Sequence, residues 1–497
     1  MKKFTQRLDI RRLALFGAYV AITGCLAFHH EPWRDEADNW LMARDASVID
    51  TIMITPDSGH PPLWYLLLKP FALAGFPPWT QKIVHLFLAW TSGWLLLFRS
   101  PLPLLACAAM LSSYFFSFEY AAVARNYALG ILGLFAWCAS VTSGKKREPS
   151  VLVASVLLMA FSTTHFLMLA AGVLAFEGVT ALDNKLKMAG QREIELDWKS
   201  YAVACAAVIT SVICLWPTGH GQLDAAFFPQ FHKEKVQLAL RLAILPSAPQ
   251  FIKGWWSDVL VLTGWSSVIA ASLINLRRRD PGPMVFLVIG LAGLLYIFGF
   301  RYFFGTLRHA GILYVLCVAT FWLTLRRGDA PSLNKQLCLI FFLATFTLTI
   351  PRTMHTWRTE IERPFSNAGD TAEYLLNRGL GHRTLSCHPA PNCSAILLQL
   401  PAGKQAWQPG TKSWGTHMWW DKTYIKQYAM TPQVAMAETV KKFGPAGESP
   451  DPGVLFLTPT AVQNPGALGM RLVYSTPRNA WGVHDEAFFI YAVKSSK

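Results

Sequence analysis

Apolar runs recur through the first 350 residues, near 12–28, 61–76, 81–98, 101–118, 120–142, 150–181, 200–216, 255–275, 284–303, 309–325 and 336–350. Runs near 18 residues or longer predict helices able to cross a bilayer, where spanning backbone must satisfy its own hydrogen bonds. The 150–181 run is too long for one untilted helix and predicts two short ones meeting near Thr163-Thr164-His165. At roughly 20 residues per span, the pattern predicts about 11 to 13 spans. It changes at Pro351. Segment 352–497 is polar, with helix-like stretches at 366–378 and 434–443 and strand-like stretches at 383–386, 454–458 and 488–493. We therefore expect an α-helical polytopic membrane protein, with a membrane unit over 1–350 and a small α/β extramembrane domain over 351–497.

Composition agrees. Of 497 residues, 53% are hydrophobic and 15% charged, against about 25% charged in an ordinary soluble protein. Mean hydropathy is +0.30. The net charge of +15 would raise nucleic acid as a partner, but its location argues otherwise. Basic residues gather in short loops, at Lys2, Lys3, Arg7, Arg11 and Arg12, at Lys145–Arg147, at Arg277–Arg279 and at Arg326-Arg327. This positive-inside pattern predicts a cytoplasmic N-terminus and an uncleaved first helix that carries residues 29–60 outward. Counting back from the end, loops 217–253 and 301–308 and everything after Pro351 also lie outside. Lys145–Arg147 falls on either side, depending on how 61–98 and 150–181 are divided. Seven of the nine cysteines sit in apolar runs. Cys387 and Cys393 do not, and outside the cytoplasm they are candidates for a disulfide.

The outer loop holds the densest chemistry. Arg34, Asp35, Glu36 and Asp38 follow the first apolar run, and Trp33, Ala37, Trp40 and Leu41 have helical spacing. That predicts an amphipathic helix lying in the membrane interface, presenting a carboxylate that stays ionised. Two adjacent acids rarely share a direction, so one is expected to do chemistry and the other to orient or bind. His60 precedes Pro61-Pro62, which fix the entry of the next helix. Glu119, Arg125 and Tyr127 interrupt apolar sequence. Intramembrane charges are functional candidates, with an internal Glu119–Arg125 ion pair or snorkelling as the alternatives. His165 stands alone in an apolar run. Arg301, Arg308 and His309 belong at the outer mouth of two late spans, where a guanidinium can grip a phosphate. There is no phosphate-binding Gly-rich loop, no His-Glu-x-x-His and no Cys-x-x-Cys, so ATP-driven transport is not expected. The polar segment lacks the aromatic–basic interleaving of a nucleic-acid binder.

With Asp35-Glu36 in the first outer loop, then His60-Pro61-Pro62-Leu63-Trp64-Tyr65 and Arg125-Asn126-Tyr127, the first 180 or so residues resemble the polytopic GT-C glycosyltransferases. The nearest likeness is to bacterial relatives of the protein O-mannosyltransferases and the lipid A aminoarabinose transferases. The resemblance implies a GT-C-like fold in the bacterial inner membrane, with its site and C-terminal domain on the periplasmic side. It implies a polyprenyl-phosphate-sugar donor, a glycan, lipid or protein acceptor, and transfer with inversion. Carried over, Asp35 is the candidate base. Glu36 binds acceptor or a divalent metal, for which His60 and His165 are further candidate ligands. Arg34 and Asp38 are placed at the acceptor. His60, Arg125, Tyr127, Arg301, Arg308 and His309 are placed at the donor phosphate. Many relatives have lysine where this chain has His60, so the phosphate's counter-charge falls to Arg125 or Arg308. A non-enzymatic lipid-linked glycan transporter or assembly partner, and a ligase or polymerase using a pyrophosphate-linked oligosaccharide, remain as alternatives.

Overall fold

The computed structural model describes residues 9–143, 148–186, 197–216, 230–246, 255–300, 307–418, 427, 429–477, 479–483 and 485–493. Among these, six helices are long and apolar enough to cross a membrane: Ile10–His29, Thr164–Asp183, Trp255–Arg277, Gly282–Phe300, Leu307–Thr324 and Ser332–Glu362. Four shorter apolar helices accompany them, at Leu63–Leu73, Tyr127–Thr142, Pro149–Ala160 and Trp198–Cys214. The count differs from the pattern-based expectation because several apolar runs are broken. The 150–181 run divides after Ala160 and resumes at Thr164, as its length required. The 101–118 run becomes a short helix, Leu104–Leu111, and a π-helical turn, Phe115–Glu119.

The Leu307–Thr324 helix is the axis of the bundle, with nearly every side chain buried. Its far end leads to the basic loops. There Arg326 Nη2 lies 2.6 Å from Asp280 and Arg278 Nη2 lies 2.5 Å from Asp329, which joins the two loops at one end. Asp35, Arg308 and the C-terminal domain gather at the opposite end.

The Ser332–Glu362 helix runs through Pro351 without stopping. The elements of the C-terminal sheet region therefore begin only after residue 364. There, six strands form one sheet in the order β3-β2-β1-β4-β6-β5. These are β1 Leu385–Cys387, β2 Ala406–Gln408, β3 Ser413–Gly415, β4 Leu455–Thr458, β5 Met470–Ser475 and β6 Phe489–Val493. β1 pairs in parallel with β2 and β4, and the other pairings are antiparallel. Alternation along the strands builds two cores. Leu455, Leu457 and Ile490 face a layer containing the helices Ala368–Asn377 and Ala390–Gln399. Phe456, Tyr491 and Val493 face the helix Pro432–Phe443.

The first of these cores also contains Ala37, Trp40 and Leu41 of the helix Arg34–Asp45. This corrects the expectation of an interfacial helix. Its apolar face is buried against the C-terminal domain, and Ala37 and Leu41 are wholly inaccessible. Cys387, at the end of β1, and Cys393, in the following helix, lie in the same core as free cysteines, with their thiols in contact.

Candidate active site

The site begins with a break in regular structure. Residues 120–126, between the π-helical turn and the helix Tyr127–Thr142, are non-helical and completely buried. Irregular backbone at such depth must find partners for its polar groups. Side chains supply them. Glu36 Oε1 accepts from the Ala124 N–H at 2.6 Å. Gln81 Nε2 donates to the carbonyls of Ala124 at 3.3 Å and Glu36 at 3.2 Å. His85 Nδ1 lies 3.2 Å from the Ala121 carbonyl, and Asn126 Nδ2 donates to Ser162 O at 2.7 Å. This lattice holds Arg125 in place.

Arg125 Nη1 donates to Asp35 Oδ2 at 2.5 Å, and Arg308 Nη1 lies 3.6 Å from the same oxygen. The Glu119–Arg125 pair allowed by sequence does not form. Glu119 instead accepts from Tyr114 Oη at 2.6 Å and lies 3.7 Å from Arg308 Nε. The Asp35 side chain keeps 23% of its surface exposed. Burial would raise its carboxyl, but Arg125, then Arg308 and Arg34, outweigh burial and hold it below the ordinary carboxylate value. The guanidiniums converge on one ring. Arg308 lies 4.6 Å from the Trp33 centroid, and Arg125 and Arg34 each lie 5.8 Å away. The sequence pattern places Trp33 on the apolar face of the helix and not among these cations. Arg308 also lines a cavity of about 530 Å³ together with Glu119, Arg352, His355, Arg363 and Trp481.

Glu36 points elsewhere. Its Oε2 lies 2.8 Å from His30 Nε2, and His30 Nδ1 lies 2.7 Å from Glu360 Oε1. Only an imidazolium has two N–H groups to give. Burial alone would lower the His30 pKa, but Glu36 and Glu360 reverse this and push it up to about 10. With both oxygens engaged, Glu36 positions Arg125 through Ala124.

Arg34 and Asp38 join the helix Arg34–Asp45 to the C-terminal domain. The Arg34 guanidinium donates to Asp485 at 2.6 Å and its backbone N–H to Glu486 at 3.1 Å, while Asp38 Oδ1 accepts from the Met418 N–H at 2.7 Å.

Gly59, at φ 67°, turns the chain into His60, and the helix after it starts at Leu63 with Pro62 as its cap. Thr164 Oγ1 donates to Gly59 O at 3.0 Å, which brings His60 toward His165. The His165 and His309 rings stack at 4.9 Å, and Tyr127 lies 6.1 Å from His309. The His60 Nδ1 atom is buried without a hydrogen-bond partner among the described residues. Burial, with Arg125 adding to it, lowers the His60 pKa to about 3. His60 is therefore a neutral group and offers a phosphate no charge. Arg301 lies outside the described residues. Among those described, no group of three or more His, Cys, Asp or Glu side chains is arranged to hold a metal ion.

Sequence reasoning missed His30, Glu360, Arg352, His355 and Arg363. The last three carried a signal, since cations spaced by helical intervals continue directly from an apolar run. No protein-family model matches this chain, and no curated protein is significantly similar to it.

Proposed function

We propose that the protein is a membrane-embedded glycosyltransferase that moves a sugar from a polyprenyl-phosphate carrier to a hydroxyl acceptor outside the cytoplasm. The observation that carries this reading is the part-exposed Asp35 carboxylate, held between Arg125 and Arg308, the second of which also lines a cavity. In that pairing Asp35 is a weak base. An arriving phosphate draws the two guanidiniums to itself, because Arg grips phosphate oxygens with a bidentate fork. Asp35 is then released to take the proton of the acceptor hydroxyl. The acceptor oxygen bonds to the anomeric carbon as the bond from that carbon to the phosphate oxygen breaks. Its electron pair leaves with the phosphate, where Arg125 and Arg308 meet the developing charge. The apolar helices fit a lipid-borne donor, and the neighbouring C-terminal domain fits an acceptor-holding role.

The depressed Asp35 pKa favours one second reading, a lipid-linked glycan transporter or assembly protein in which the cluster binds and makes no bond. Purified protein supplied with a polyprenyl-phosphate sugar and candidate acceptors separates the two. Transfer is expected to consume donor, and Asp35→Asn is expected to abolish consumption in protein that still melts cooperatively, at a lower temperature than the parent because Arg125 loses its counter-charge. Undiminished turnover by Asp35→Asn removes Asp35 from the mechanism. Binding of donor without consumption selects the second reading.

A further inference from the structure

Beyond Pro351 the helix Ser332–Glu362 has a pattern of its own. Arg352, His355, Thr359 and Arg363, the last at its cap, follow at intervals of three or four residues and so share one face. At the rise of an α-helix the stripe is about 16 Å long. All four line the cavity that Arg308 also lines.

Charge in this cavity is unbalanced. Among the described lining residues, Arg308 is balanced by Glu119 and by the neighbouring Asp35, which leaves the Arg352 and Arg363 guanidiniums without a carboxylate partner. Arg363 donates to the Asn479 carbonyl, at 2.8 and 3.1 Å. Arg352 lies against Tyr114, its Cζ 5.4 Å from the ring centroid, and makes no ion pair among the described residues. Its Nε and the Trp481 indole N–H, both on the cavity wall, are buried with no hydrogen-bond partner among the described residues. Buried donors of this kind call for acceptors. A strip of fixed positive charge is complemented by a ligand with more than one anionic centre.

We propose that the cavity binds a lipid-linked diphosphate, with one phosphate against Arg308, next to Asp35, and the other against Arg352 and His355. This rests on the reading that a lipid-borne phosphate docks at Arg308, and it puts a diphosphate in place of that reading's single phosphate.

The test is calorimetric titration of the full-length protein in detergent with farnesyl diphosphate, farnesyl phosphate and inorganic diphosphate, with no acceptor present. Farnesyl diphosphate is expected to bind at least about tenfold more tightly than the monophosphate, a difference of about 1.4 kcal/mol. Arg352→Ala is expected to erase that preference and Arg352→Lys to restore part of it. Arg363→Ala tests the same point at an exposed residue, where folding is not at risk, and is expected to reduce the ratio. Equal affinity for the two lipids, or a ratio unchanged in both alanine variants, overturns the proposal. Inorganic diphosphate binding as tightly as the lipid form overturns its lipid part. Selectivity for diphosphate without any sugar transfer would retire the transferase reading alone. Asp35-dependent transfer from a monophosphate donor with no diphosphate preference would retire the diphosphate assignment alone.

Discussion

Arg125 reaches back ninety residues to place its Nη1 2.5 Å from Asp35 Oδ2. The pair joins the helix Arg34–Asp45 to a buried, irregular segment, and each partner presets the other. Arg125 keeps Asp35 ionised and aimed, while Asp35 offsets the cost of burying a guanidinium. Removing one partner has a different result from exchanging it. Arg125→Ala is expected to lower donor turnover by about 10²–10³, the loss typical of deleting one donor to developing charge. Arg125→Lys keeps the charge without the fork and is expected to fall between that and the parent. Steady-state rates at saturating donor check the order. A lysine variant as slow as alanine would show that geometry, not charge, is what matters.

His30 sits between two carboxylates with both ring nitrogens engaged. Its pKa is raised to about 10 from the usual 6.5. The sign follows from linkage. The folded protein holds this proton more tightly than the unfolded chain, so the contribution is complete below about pH 6.5 and is lost as pH rises through about 10. Apparent thermal stability should therefore fall across that window more steeply in the parent than in His30→Gln. At pH 7, His30→Ala leaves two buried acids without their cation and is expected to destabilise by about 3–5 kcal/mol. A parent and a glutamine variant with parallel pH profiles would rule out a charged His30.

Glu486 behaves in the opposite way to Asp35. It is wholly inaccessible, accepting from Ser366 Oγ and the Arg34 N–H. Burial pushes its pKa up to about 7, and Arg34 only partly counters this. A raised carboxyl pKa means stability declines as pH rises from about 4.5 through 7, since the folded state must ionise a buried acid. This acts where the C-terminal domain meets the helix Arg34–Asp45. Limited proteolysis should find that interface looser at pH 8 than at pH 5.5. Glu486→Gln, which keeps an acceptor for the Arg34 N–H, should flatten the difference. Proteolysis in the variant that still tracks pH as in the parent would assign the effect to another group.

Much of the C-terminal domain was legible in the sequence because its central strands carry strong patterns. β4 is a short apolar run and β6 a run rich in β-branched and aromatic residues, both alternating between two cores, and the helices at 368–377 and 432–443 have clear starts. β2 and β3 are three residues each, too short for any period to register, and they are held by pairing and by packing of Trp407 and Trp414 on Phe443. The helix Ala390–Gln399 starts in a Pro-rich stretch that reads as loop. In the bundle, hydropathy located apolar runs but not their breaks. The run over 61–76 holds only the helix Leu63–Leu73, with Pro70 inside it. Asp35, Arg125 and Arg308 each stood out as charges among apolar residues. Their convergence was expected from the family resemblance alone, because pairing across 90 residues leaves no trace in local pattern. His30 and Glu360, 330 residues apart, were invisible for the same reason.

The element Arg308-His309-Ala310-Gly311 owes its glycine to packing. A Cβ on Gly311 would press on Tyr120 Oη and on the Phe115 ring. Tyr120 cannot give way freely, since its hydroxyl donates to the Arg308 carbonyl at 2.6 Å and its ring stacks on Phe115 at 6.1 Å. Overpacking a tight core position costs about 1–3 kcal/mol, and here the displaced groups hold Arg308 over Trp33. Gly311→Ala is therefore expected to lower both thermal stability and donor turnover. Tyr120→Phe in the same chain removes the obstructing oxygen along with its hydrogen bond. The double variant should recover part of the stability without recovering the rate, because Arg308 then lacks its anchor. Thermal melts and turnover measured on the two single variants and the double variant test this coupling. Additive effects in the double variant would mean that Gly311 and Tyr120 act separately, and the glycine's place in the element would then need another cause.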